Sequence, residues 1–179
     1  MIRVRDIAFF IVWPLTVSAC DTAYLTAMEK MGFSYQRCRA CLTMYVSPRP
    51  RPEHLGEYYA ESENYAYWAE HIFPASEGAR LESIVRPRVA RVLDLCGQFG
   101  VPTGTLVEVG PGFGTFSEEM QRQGRFGRVI AVEPTPELAA ACRARGVEVI
   151  EKAVEQVDAG DLPPVDVLVS FEVIEHLFR

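Results

Sequence analysis

Apolar positions change their period along this chain, and each change marks an element. From Glu77 to Gly97, residues Leu81, Ile84, Val85, Val89, Val92, Leu93 and Cys96 recur at helical spacing. Pro87 falls inside that run and predicts a kink or a division there. Gly100 to Gly104 supplies a turn, after which continuous apolar runs alternate with helical segments. Strands are expected over 106–110, 128–133, 147–151 and 165–170, the last after a loop holding Pro163 and Pro164. Helices are expected over 116–123, closed by Gly124, and over 136–145, stopped by Gly146. Uninterrupted apolar strands belong to parallel sheets whose faces are both covered. The pattern therefore predicts an α/β fold: a partial doubly wound parallel sheet of strand order 3-2-1-4, with helices on both faces and a small N-terminal segment ahead of it.

The region before Glu77 is organised differently. Residues 1–50 form a first block, residues 51–76 a linker or lid, and residues 77–179 the α/β domain. The linker carries Tyr58, Tyr59, Tyr65, Tyr67, Trp68, Phe73 and Pro74 without a clear period, so it either stacks on a ligand or wraps the core. Within the first block, Cys38-Arg39-Ala40-Cys41 is a C-x-x-C knuckle. Two thiolates at that spacing can hold one zinc ion, but a closed site needs four ligands. Cys20 would be a third and His54 is the nearest imidazole; the alternative is a pair of unmetallated thiols.

Two arginines within Met1–Asp6 precede an apolar run, Ile7–Ala19, and then Cys20. Val17-Ser18-Ala19-Cys20 resembles a lipoprotein cleavage box, and the run has signal-peptide length but is short for a bilayer span. It reads as an exported lipoprotein's leader, as a buried apolar segment, or as a misassigned start.

At 179 residues, with 49% hydrophobic and 23% charged residues, the chain is an ordinary globular one. A net charge of −6 argues against extended nucleic acid as a partner. Five cysteines at scattered positions do not form a disulfide framework, and Cys96 and Cys142 fall on helical patterns as buried thiols.

The chemistry concentrates after the first strand of the domain. Glu108-Val109-Gly110-Pro111-Gly112-Phe113-Gly114 places three glycines at alternate positions, and Glu133 ends the second strand nineteen residues later. Glycines let backbone approach a ligand, and an acid at the second strand end can accept ribose hydroxyls. A dinucleotide fingerprint G-x-G-x-x-G would require glycine at position 115, which is Thr115, so a nicotinamide oxidoreductase is disfavoured.

The string E-x-G-x-G-x-G resembles the first motif of class I S-adenosylmethionine-dependent methyltransferases. Ala131-Val132-Glu133-Pro134 is similar to their ribose-binding acid, and Val165–Leu177 to their fourth strand and following loop. The resemblance covers about Leu106 to the end. It implies S-adenosylmethionine as cofactor. Gly110, Pro111, Gly112 and Gly114 would pass beneath it, Glu108 would hold its amino group, and Glu133 its ribose. It implies further contacts from Ala153 near adenine and from Phe171 and Glu172 near the methionine part, with His176 as a base where the acceptor must lose a proton. Glu172, Glu175 and His176 also match E-x-x-E-H strings that hold a divalent metal in some members and none in others. The Cys38–Cys41 knuckle is similar to the second half of a zinc ribbon that precedes many such domains.

The family normally has three further strands, so the chain reads as truncated after the fourth strand, whose uncovered apolar edge would favour self-association. The expected function is methyl transfer to a small-molecule acceptor, of sugar or secondary-metabolite type, in the cytoplasm with no membrane partner. An RNA end or a protein side chain is the enzymatic alternative. A non-catalytic cofactor-binding fragment or interaction module, and a lipoprotein anchored through Cys20, are the rivals of other classes.

Overall fold

The computed structural model describes residues 8–9, 24–30, 32–48, 50–51, 54 and 67–177. Two compact units emerge: residues 14–61, and residues 1–13 together with 62–179. Strand β1, the pair Ala8–Phe9, belongs to the larger unit.

In the smaller unit β2 (Tyr24–Lys30), β3 (Phe33–Cys38) and β4 (Met44–Val46) form an antiparallel sheet in chain order. The knuckle occupies the turn from β3 to β4, where the Cys38 N–H donates to the Thr43 carbonyl at 2.9 Å. Cys38 is buried and its sulfur accepts the Ala40 N–H at 3.4 Å, whereas Cys41 is exposed and donates to the Thr43 hydroxyl at 3.2 Å. Among the described residues no three His, Cys, Asp or Glu side chains gather as a metal site; Cys20 lies outside them, as does the side chain of Glu175. The expectations of zinc at Cys38, Cys41 and Cys20 and of a metal at Glu172, Glu175 and His176 thus gain no support.

The larger unit is built on a wholly parallel sheet of order β1-β8-β5-β6-β7, with β5 Thr105–Val109, β6 Arg128–Val132, β7 Glu148–Ile150 and β8 Val167–Ser170. Every residue of β5 is buried, its apolar Leu106, Val107 and Val109 as well as Thr105 and Glu108. The fourth strand of the expected set, β8, is not an uncovered edge: Ala8 pairs with Val167 and Phe9 with Leu168. Part of the apolar start therefore adds a strand beside Val167 and Leu168.

A nearly continuous helical run precedes β5. It passes through a π-type turn at Trp68–Ile72, α1 (Phe73–Arg80), a second π-type turn at Leu81–Val85, and α2 (Arg86–Phe99). Pro87 does not break the run. It sits in the first turn of α2, directly after the wider turn, where its missing N–H costs no regular α-helical bond. Gly100, at φ 62°, ends α2 in a left-handed cap, with the Val101 N–H reaching the Cys96 carbonyl at 2.9 Å.

Helices α3 (Thr115–Arg122) and α4 (Pro136–Ala144) connect β5 to β6 and β6 to β7. The side of the sheet presented by Leu106, Val129, Val167 and Val169 packs against Val89 and Val92 of α2 and Phe116 and Met120 of α3. Ala131, on the same side, meets Cys142 of α4. The opposite side, Val107, Val109, Ile130 and Val132, is covered by Val154, Val157, Leu162 and Val165 from the β7–β8 crossover. That corrects the expectation of helices on both faces: among the described residues the α-helices share one face. Right-handed crossovers stepping outward from β5 put α3 and α4 on one side, and the return to β8 must use the other. Gly160, Pro163 and Pro164 keep that return irregular except for one 3₁₀ turn at Val154–Gln156.

Candidate active site

The sheet order reverses direction at β5, so the carboxyl ends of β5 and β8 flank a natural crevice. The chain leaves β5 through Gly110, Gly112 and Gly114 at φ 69°, 57° and 76°, all in the left-handed region. The Gly110 N–H donates to the Val132 carbonyl at 3.0 Å, and the Gly114 N–H to the Pro111 carbonyl at 3.0 Å. Two of these glycines are also required by packing. A methyl on Gly110 would overlap a methyl of Val173, and one on Gly114 would lie 2.8 Å from the Cys142 sulfur. At Gly112 nothing lies within 4 Å of where a Cβ would stand, so the turn offers open backbone to a ligand at that point.

Two carboxylates sit at the ends of adjacent strands. Glu108 is 3% exposed, and its Oε2 accepts the Ser117 hydroxyl at 2.6 Å. Burial pushes its carboxyl up to about 7, against the lowering effect of the Ser117 hydrogen bonds and of Arg88. Glu133 is also buried, and its Oε1 accepts the Thr135 N–H at 2.8 Å. Burial raises its pKa too, while the amides of Thr135 and Gly112 act the other way. A buried acid without a full ionic partner costs stability, and two of them around one glycine turn mark a place where function outweighs that cost. Next to Val109 in register, Ser170 adds a buried hydroxyl with no partner among the described residues.

A cavity of about 240 Å³ opens between the glycine turn and the helical run. Trp68, Phe73, Glu77, Arg80, Ile84 and Arg88 line it from the helical side. The two π-type turns bring this about, because each slows the angular advance of the side chains and keeps one face aligned over a long span. Phe73 stacks on Phe113 of the glycine turn, with centroids 4.0 Å apart. Phe171 meets Phe116 edge to face at 4.9 Å. Arg145, at the end of α4, links α1 to α3: its guanidinium reaches Glu77 of α1 at 2.5 Å and Glu118 of α3 at 2.6 Å, and lies 5.9 Å from the Phe73 ring. Since α1 buries no residue of its own, Arg145→Ala is expected to loosen it. Limited proteolysis should then cut within 67–80 several-fold faster, with a global loss of only about 1 kcal/mol for these partly exposed pairs.

The predicted site residues separate into two groups. Glu108, Gly110, Pro111, Gly112, Phe171 and Glu172 line the cavity. Gly114 and Glu133 are buried and are not among the residues that line it. Ala153 is half-buried at the start of the 3₁₀ turn, its carbonyl taken by the Gln156 N–H at 2.9 Å. His176 is exposed and outside the cavity wall. Glu172 adopts φ 59°, a left-handed conformation uncommon for a non-glycine residue and frequent at functional turns. Trp68 and Phe73 belong to the aromatic stretch for which stacking on a ligand or wrapping the core was expected, and they line the cavity; Arg88 carried no signal in the sequence. The wide turn at Trp68–Ile72 lies where no 3.6-residue apolar period is visible.

Residues 107–179 match the family model described as methyltransferase domain. The fold agrees with this: a magnesium protoporphyrin IX methyltransferase from Synechocystis PCC 6803, solved with bound S-adenosylmethionine, superposes with a TM-score of 0.51 at 11% identity, over 70% of this chain and 63% of that one. Two further similar structures are an S-adenosylmethionine-dependent methyltransferase from Clostridium acetobutylicum ATCC 824 (TM-score 0.46, 14% identity, 60% and 43% coverage) and a 1,6-didemethyltoxoflavin-N1-methyltransferase from Burkholderia thailandensis with bound 1,6-didemethyltoxoflavin and S-adenosylhomocysteine (0.40, 19%, 74% and 53%). This chain thus spans less than two thirds of the length of each. No curated protein matches it. The domain match and the superposition show a fold shared with an S-adenosylmethionine-binding methyltransferase. Among the described residues, no helix of this chain is long and apolar enough to cross a membrane.

Proposed function

We propose that this chain binds S-adenosylmethionine across the ends of β5 and β6 and transfers its methyl group to a small-molecule acceptor, of the sugar or secondary-metabolite class, in the cytoplasm where that cofactor is made. The observation that carries the reading is the glycine turn itself. Three left-handed glycines lie between two buried acids, and the central one leaves room above its backbone. These residues fit an adenosyl ligand, whose flat base and sugar need close backbone approach and whose hydroxyls need an acceptor.

When bound, S-adenosylmethionine supplies a methyl group already activated by a sulfonium centre. The protein's task is then chiefly alignment and exclusion of water. Glu133 would accept the ribose hydroxyls, and Glu108 the ammonium of the amino-acid end. Ala153 would flank the adenine, and Phe171 and Glu172 the methionine part. Phe73 and Trp68, which line the helical side of the cavity, would shield that space from solvent once the ligand is bound. His176 would take the proton from acceptors that must lose one, and it would have to approach the cavity from outside to do so.

Calorimetric titration of the full chain with S-adenosylhomocysteine tests the reading. Micromolar binding is expected, and Glu133→Ala should weaken it at least tenfold, since a carboxylate accepting two hydroxyls is lost. Absence of binding to the folded wild-type chain would favour a non-catalytic piece instead.

A further inference from the structure

We propose that Trp68 and Arg80 select the acceptor, and that the acceptor is a planar aromatic molecule carrying a carboxylate. This assignment rests on the methyl-transfer reading above and narrows its acceptor class. The two residues stand out because the other rings and charges of the cavity wall already have partners. Phe73 stacks on Phe113, and Phe116 meets Phe171 edge to face. Trp68 is the remaining ring of the wall. It has no ring partner among the described residues, and it stays 41% exposed although it lines the cavity. An open indole face on a concave surface suits stacking on a flat ring, an interaction that a saturated molecule cannot reproduce.

The charged groups of the wall divide in the same way. Glu77 is held by Arg145 at 2.5 Å, and Arg88 faces Glu172 at 3.5 Å while lying over the Phe171 ring. Glu108 accepts the Ser117 hydroxyl at 2.6 Å. Arg80, exposed at the end of α1, has no ion pair or hydrogen bond to a side chain among the described residues. Its guanidinium therefore keeps its donor fork for a carboxylate arriving in the cavity. Trp68 and Arg80 stand twelve residues apart on one helical run, at most about 18 Å along its axis at 1.5 Å per residue. With that separation, the ring and the carboxylate belong at opposite ends of the acceptor.

The test is calorimetry on the full chain saturated with S-adenosylhomocysteine. The probes are 3-(2-naphthyl)propionate, its uncharged amide, and its saturated decahydronaphthyl counterpart. The wild type should bind the naphthyl acid at least about threefold more tightly than either of the others. Arg80→Gln should erase the preference over the amide and leave amide binding as in wild type. Trp68→Leu, which keeps an apolar side chain, should erase the preference over the saturated acid. Both residues are exposed, so neither variant should change the midpoint of urea unfolding or the affinity for S-adenosylhomocysteine. If the wild type binds the three probes equally or binds none, or if either variant keeps its preference, the acceptor assignment falls while the cofactor site stands. It falls also if the variants weaken S-adenosylhomocysteine as much as the naphthyl acid, since this wall would then serve the cofactor. If the wild type does not bind S-adenosylhomocysteine, the methyl-transfer reading falls and the assignment with it.

Discussion

Alanine at position 114 is expected to lower the stability of the larger unit by about 2–5 kcal/mol, the sum of a left-handed backbone penalty and overpacking. Gly114 sits at φ 76°, and the added methyl would meet the Cys142 sulfur at 2.8 Å and its Cα at 3.2 Å. The sulfur can be removed by a second substitution, but the Cα belongs to the backbone of α4 and moves only with the helix. Urea unfolding should therefore show a large drop in midpoint for Gly114→Ala and partial recovery in Gly114→Ala/Cys142→Ala. Gly112→Ala is the instructive comparison. Its φ of 57° carries a similar backbone penalty, yet no neighbour stands within 4 Å. It should cost only about 1–2 kcal/mol while abolishing S-adenosylhomocysteine binding, because the methyl would occupy the ligand's space. A Gly114→Ala protein as stable as wild type would show that α4 does not pack against the turn as described.

Glu108→Gln is expected to make the folded protein more stable at pH 8 and a poorer ligand binder. The carboxyl of Glu108 rises from 4.5 to about 7 on folding, chiefly through burial. Its folded pKa lies above the unfolded one, so the folded state holds the proton more tightly. The stabilising contribution is complete below pH 4.5 and is lost as pH rises through about 7. The shift corresponds to roughly 3 kcal/mol, at about 1.4 kcal/mol per pH unit. Glutamine has no proton to lose, so the variant should unfold at higher urea concentration than wild type at pH 8 and at a similar one near pH 4.5. Binding should run in the opposite sense. The ligand's ammonium favours ionised Glu108, so affinity for S-adenosylhomocysteine in the wild type should increase between pH 5 and 8. In Glu108→Gln it should be weaker and flatter. Glu133 is displaced in the same direction, and any slope left in the variant belongs to it. Equal pH profiles for the two proteins would remove Glu108 from the ligand site.

Both predictions concern residues that were legible in the chain before any coordinates. The reason is local. Strand β5 is a buried run leading into glycines, and the left-handed turn it needs depends on the residues themselves. The same holds for Glu133, carried by the length of α3 and β6 between the two acids. The boundaries of α3, α4, β7 and β8 shift by one or two residues from the expected ones, since the ends of elements are settled by capping and neighbours rather than by period. The aromatic stretch around Trp68 was the least readable part. Its π-type turn at Trp68–Ile72 produces no 3.6-residue signal, although Trp68 and Phe73 line the cavity.

Sequence alone therefore determined the parallel α/β architecture, the glycine turn and the two strand-end acids, because period, turn chemistry and spacing are properties of neighbouring residues. Tertiary structure alone decided three other things. Ala8–Phe9 joins β8, the described α-helices gather on one face, and Arg88, on α2, lines the same cavity as Glu108. Each joins residues distant along the chain, and such contacts are selected by packing and by the handedness of crossovers, which no local pattern records.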